Sequence, residues 1–97
     1  MKFDVLLPGQ NHLPGLFDWA RDIGADDLHT VLRTVDDHDF SSVLVCEHLG
    51  IPLAQSQRLG SFWMEPISLM GFIVAATSRV RVDSSILVLP YHHPLRL

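Results

Sequence analysis

The chain has 97 residues, 47% of them hydrophobic, with 11 acidic side chains against 7 basic ones and a formal net charge of −4. A chain of this size builds at most one domain, and its seven scattered cations form no basic stripe of the kind nucleic acid requires. No apolar run approaches the ~20 residues of a membrane span, the N-terminus lacks the regions of a secretory signal, and Cys46 has no partner for an internal disulfide, so a cytoplasmic protein is expected.

Lys2 to Pro8 carries Phe3, Val5, Leu6 and Leu7 and stops at Pro8-Gly9, which predicts a first strand followed by a turn. Gly9 to Gly24, with three glycines, Asn11 and Pro14, reads as a long strand-to-helix loop of the functional kind, and its His12 is a substrate-side candidate. Asp26 or Asp27 can cap a helix by accepting an unpaired first-turn amide. Leu28, Val31, Leu32 and Val35 then recur at the spacing of one buried helical face. His29, Arg33, Asp36 and Asp37 fall on the other side, His38 reads as solvated, and the helix is expected to end near Asp39.

Phe40 leads into the second strand. Val43, Leu44 and Val45 are consecutive, so this strand is apolar on both faces, as in a parallel sheet covered by helices. Glu47 and His48 follow at its carboxyl end, where α/β folds bind ligands. Strand alternation sends the two to opposite sides. His48 is the candidate catalytic residue, because an imidazole titrating near neutrality moves protons at physiological pH. Glu47 orients that ring or accepts hydrogen bonds from loop amides, and Cys46 reads as a small buried hydrophobe.

Leu49 to Met64 reads as a second long loop standing over Glu47 and His48, with the Trp63-Met64 pair serving as loop packing. Glu65-Pro66 signals a second helix running to about Ser78, since proline suits the first helical position and acid the first turn. This helix has almost no polar face, and Ser68, Gly71, Ala75 and Ser78 make a stripe of small side chains, so its second cover is expected to be another subunit. Val80 to Leu89 is the expected third strand, and His92-His93-Pro94 opens a third helix, with at most one of the two imidazoles reaching a ligand. Strand, helix, strand, helix, strand with crossovers this long implies right-handed βαβ units and parallel pairing. Both outer strands of such a sheet expose unpaired backbone, and a (β/α)8 barrel needs about 250 residues. Residues 1–97 are therefore expected to be the N-terminal part of a single, truncated TIM-barrel domain.

Three stretches carry a resemblance. Asp39 to His48 is similar to the second strand of the luciferase-like monooxygenases, Glu65 to Arg81 to their second helix and third strand, and Ser85 to Pro94 to the end of that strand and the start of the next helix. The resemblance implies an oxidoreductase with FMN or coenzyme F420 at the carboxyl ends of the strands, a small-molecule substrate, and a homodimer packed through residues 66–77. It makes His48 the active-site histidine and brings Glu47, Ser85 and Ile86 to the cofactor, Ser85-Ile86 matching the place where relatives bulge and carry a cis peptide. Asp83 stands where the family usually has glycine. Two other readings compete: a metal-dependent barrel hydrolase using Glu47, His48 and His92 or His93, and a non-catalytic truncated assembly partner.

Overall fold

The computed structural model describes residues 1–97. Its strands are β1 (Asp4–Leu6), β2 (Ser42–Cys46) and β3 (Arg81–Ile86), and its helices α1 (Ala25–Asp37), α2 (Ser56–Leu59) and α3 (Pro66–Ala76). The strands form one sheet in the order β1-β2-β3, and both pairings are parallel. The expectation of a parallel α/β sheet holds, with Val43 of β2 level with Val5 and Val82 on either side.

Alternation along β2 divides the sheet into two unlike faces. Val43 and Val45 are fully buried and join Leu7, Leu28, Leu32, Leu69 and Ile73 in the core under α1 and α3. Removing a fully buried side chain of this kind, as in Ile73→Ala, costs about 2–5 kcal/mol because a cavity is left. Leu44 and Cys46 point the other way and are half-buried, while their neighbour Leu6 is 51% exposed. That face carries no helix.

The helices begin where the sequence marks them, by slightly different means. Gly24, not an aspartate, takes the position before α1, and Asp27 reaches back to accept from the Gly24 N–H at 2.9 Å. The helix stops two residues earlier than expected, because Asp39 adopts φ 58°, the left-handed conformation that ends helices. Before α3, the Glu65 carboxylate accepts from Ile67 N at 3.1 Å and Ser68 N at 2.7 Å, and Pro66 fills the first turn. No helix is long and apolar enough to cross a membrane.

Several boundaries differ from the sequence reading. The second long loop contains a 3-10 turn at Leu53–Gln55 and the one-turn α2, which apolar periodicity cannot reveal in so few residues. A 3-10 turn over residues 89–91 begins on Leu89, the last residue of the expected third strand, and where a third helix was expected after His92-His93 the chain makes only a turn at residues 94–96. Strand β3 ends at Ile86 because only β2 is beside it, and β2 ends at Cys46. Around α3 only Pro66, Leu69 and Ile73 are buried, leaving Ile67, Gly71, Val74 and Ala75 exposed.

The approach to β3 depends on a residue of the helix side opposite the buried face. Asp36 on α1 accepts from three successive amides, Ser78 N at 2.9 Å, Arg79 N at 2.9 Å and Val80 N at 2.8 Å, while the Arg79 guanidinium pairs with Asp39. These amide bonds hold the Asp36 carboxyl below its ordinary range and tie the end of α1 to the start of β3. Asp36→Ala is expected to lower stability in urea unfolding by about 1–2 kcal/mol, the scale of a lost side-chain cap. An unchanged midpoint would show that water replaces this carboxylate without loss.

Candidate functional site

The carboxyl ends of the strands lie beside two loops that are stitched together. Met64 N donates to Gln10 O at 2.8 Å, His12 N donates to Phe62 O at 3.2 Å, and Asn11 and Trp63 form an antiparallel bridge. The first long loop therefore lies against the end of the second. Gly60 makes this approach possible: with φ +73°, a Cβ there would stand 1.9 Å from the His12 carbonyl oxygen. His12 is buried, with Nε2 3.3 Å from Asp18 Oδ1, and Asp18 also accepts from Gly15 N at 2.9 Å. The substrate-side candidate of the first loop is thus tied into that loop's own structure.

Gln10 is the main residue that the sequence reading missed. It is 1% exposed, and its Oε1 accepts from Cys46 N at 3.0 Å, so the first loop holds the last residue of β2. Its Nε2 is buried without a partner, as is Nε1 of Trp63. A polar residue after Pro8-Gly9 gave no periodic signal by which its burial could be read. Cys46 is half-buried, and burial pushes its thiol pKa up, so it is a poor nucleophile.

Beyond Cys46, Glu47 N still donates to Ile86 O at 2.9 Å, extending the β2 ladder by one residue. Glu47 is buried and His48 exposed, as the alternation of side chains requires. The His48 ring lies against Trp63, with centroids 4.9 Å apart and planes inclined by 35°. Together with Leu49, Gly50, Ile51 and Ser61, these two rings bound a cavity of about 230 Å³. His48 is the sole titratable group in that wall.

Across from it, β3 is irregular. Ser84 pairs with Val45 and Ile86 with Cys46, so Ser85 is an extra residue in a bulge. The bulge lies where the resemblance implied one, and the Ser85-Ile86 bond is trans like every other in the chain. Both residues are exposed, Ile86 at 57%. Glu47 faces the backbone just past the bulge. Val88 N donates to its Oε2 at 2.6 Å, and His92 Nε2 lies 2.9 Å from each of its oxygens.

Of the paired histidines, then, His92 meets the site's carboxylate. His93 turns to its own segment, accepting from Leu95 N at 3.2 Å. No three His, Cys, Asp or Glu side chains converge as metal ligands. Two surface assignments are refined: the His29 ring, though exposed, lies 4.7 Å from that of Phe72, and His38 Nδ1 lies 2.8 Å from Thr34 O.

The Val88 N–H first, and then the His92 ring, hold the Glu47 carboxyl below the usual glutamate range. A carboxyl whose folded pKa is depressed adds stability that is fully present above its unfolded pKa, about 4.3, and is lost as pH falls through the folded value. The melting temperature should therefore decline as pH drops below about 4.3, and Glu47→Gln should make that decline shallower. Equal steepness in the variant would remove Glu47 from the acid response.

One family description matches the chain, luciferase-like monooxygenase, over residues 1–97. No individual curated protein and no solved structure matches it. The parallel βαβαβ order, the bulge at Ser85 and the Glu47-His48 strand end agree with that match, and the chain belongs to the luciferase-like monooxygenase family.

Proposed function

We propose that β1, β2 and β3 are the opening strands of a (β/α)8 barrel and that their carboxyl ends form part of the site of a flavin- or F420-dependent oxidoreductase acting on a small molecule. The observation that carries this reading is the juxtaposition at one end of the sheet of the bulge at Ser85 and an imidazole beyond the last residue of β2. The open edges of β1 and β3 and the helix-free face bearing Leu6, Leu44 and Cys46 support barrel closure, which pairs such edges and covers such a face. A lone free thiol supports the cytoplasm as its setting.

The residues present suit the ring portion of such a cofactor. Ile86 offers an exposed apolar surface, and Trp63, whose Nε1–H has no partner in the protein, stands in the wall of the His48 cavity. No Lys or Arg lines the His48 cavity, so these residues suit a ring and not a phosphate. When bound, FMN or F420 supplies hydride transfer, and FMN also supplies dioxygen chemistry. Ser85 and Ile86 form the cofactor-side wall. His48 handles the proton: its imidazole, kept in place by Trp63, accepts or donates at a ring nitrogen without leaving the mouth. Leu49 and Ile51 supply apolar surface within a wall that is mostly polar.

The exposed side of α3, with Ile67, Gly71, Val74 and Ala75, is the surface we propose for a homodimer. Small residues there allow close approach of a second helix, and burying Val74 and Ile67 contributes about 1.5–3 kcal/mol each.

Two outcomes test this reading. Titration of the protein with FMN and with F420 should perturb the visible band of one of them, and His48→Ala should then lower turnover by about 100-fold or more while leaving cofactor affinity within about threefold. Undiminished turnover in the variant would end the proton-handling role. Val74→Glu should shift the sedimentation coefficient from dimer to monomer; a parent chain that sediments as a monomer at all concentrations would rule out the α3 interface.

A further inference from the structure

We propose that Glu47 is a positioning residue, which with His92 fixes the backbone from Ile86 to Val88 in the shape the cofactor rests against, and which itself meets the cofactor through neither oxygen. The proposal rests on the cofactor reading given above.

The geometry is that of a clamp with three points of attachment. The Glu47 main chain holds Ile86, its N–H donating to the Ile86 carbonyl at 2.9 Å. The Glu47 side chain holds Val88, whose N–H donates to Oε2 at 2.6 Å. The same carboxylate holds the next turn through His92, whose Nε2 stands 2.9 Å from both oxygens. One residue at the end of β2 therefore fixes the chain at three places within seven residues of β3 and its sequel. This stretch follows a bulge, where the ladder is interrupted and regular pairing no longer dictates the path of the backbone.

Burial gives the clamp its strength. The Glu47 side chain is 5% exposed and that of His92 15%, so water is a poor substitute for either partner. Glu65, at the start of α3, is the second carboxylate near this pair. It is engaged with Ile67 N and Ser68 N and leaves His92 to Glu47. Val88 takes one oxygen and His92 spans both, and the burial of the carboxylate keeps its remaining lone pairs from a cofactor at the bulge. A cofactor at the bulge would meet Ser85 and Ile86, whose exposure leaves them available, and would sense Glu47 through the backbone it holds.

The test uses Glu47→Ala, Glu47→Gln and His92→Ala in the full chain, with amide hydrogen exchange at Val88 and FMN and F420 as probes. Glu47→Ala should speed Val88 exchange about tenfold or more and weaken the cofactor about tenfold, the effect of losing a hydrogen bond to a charged group. Glu47→Gln keeps an oxygen for Val88 N and should restore part of both. His92→Ala combined with Glu47→Ala should be no worse than Glu47→Ala alone, the mark of two groups acting as a unit. Protection at Val43 and Val45 reports that each variant remains folded.

If Val88 exchange rises while cofactor affinity and visible spectrum stay at parental values, Glu47 supports the fold alone and the proposal is overturned. If Val88 exchange does not change in Glu47→Ala, the clamp itself is absent. A parent protein that binds neither FMN nor F420 would remove the oxidoreductase reading, and this proposal with it, before any variant is made.

Discussion

The interaction on which the rest depends is the parallel ladder that β2 makes on both sides. Each of its backbone edges is used, by β1 on one side and by β3 on the other. Each of its faces has a separate task. Val43 and Val45 fill the space beneath α1 and α3, while Leu44 and Cys46 face the side without helices. A slip of one residue in either pairing would turn the valines outward and leave the core without its centre, so hydrophobic burial fixes the register. The register in turn fixes where Glu47 and His48 emerge, and on which side each one does.

Around this ladder, much of the remaining organisation comes from carboxylates accepting backbone amides. Asp36 holds the approach to β3, Glu65 the start of α3, Asp27 the start of α1, Asp18 the first loop and Glu47 the exit from β3. Each sits where regular hydrogen bonding stops and amides would otherwise go unpaired. In four of the five, the hydrogen bonds hold the carboxyl below its ordinary range, which makes the acidic composition part of how the chain is joined. The surplus of 11 acids over 7 bases is in this sense structural before it is a matter of surface charge.

What was legible in the sequence follows the same division. Elements marked by repetition or punctuation were read correctly in kind: Leu28, Leu32 and Val35 on one helical face, the Val43 to Val45 run, and Glu65-Pro66 at a helix start. The opposite fates of Glu47 and His48 followed from alternation alone. Contacts between residues far apart in sequence left no such trace. Nothing near Asp36 announces amides more than forty residues away, nothing near Gln10 announces the Cys46 N–H, and the His92 partnership depends on where a bulge directs the chain. Resemblance carried the reading at Ser85, where periodicity gave no warning of an extra residue.

The margins of the sheet are unequal. The β1 margin is three residues long and the β3 margin six. A newcomer strand docking at β3 therefore gains about twice as many rungs as one docking at β1. The two open margins are unequal as docking edges as a result, the long side presenting more backbone donors and acceptors than the short one.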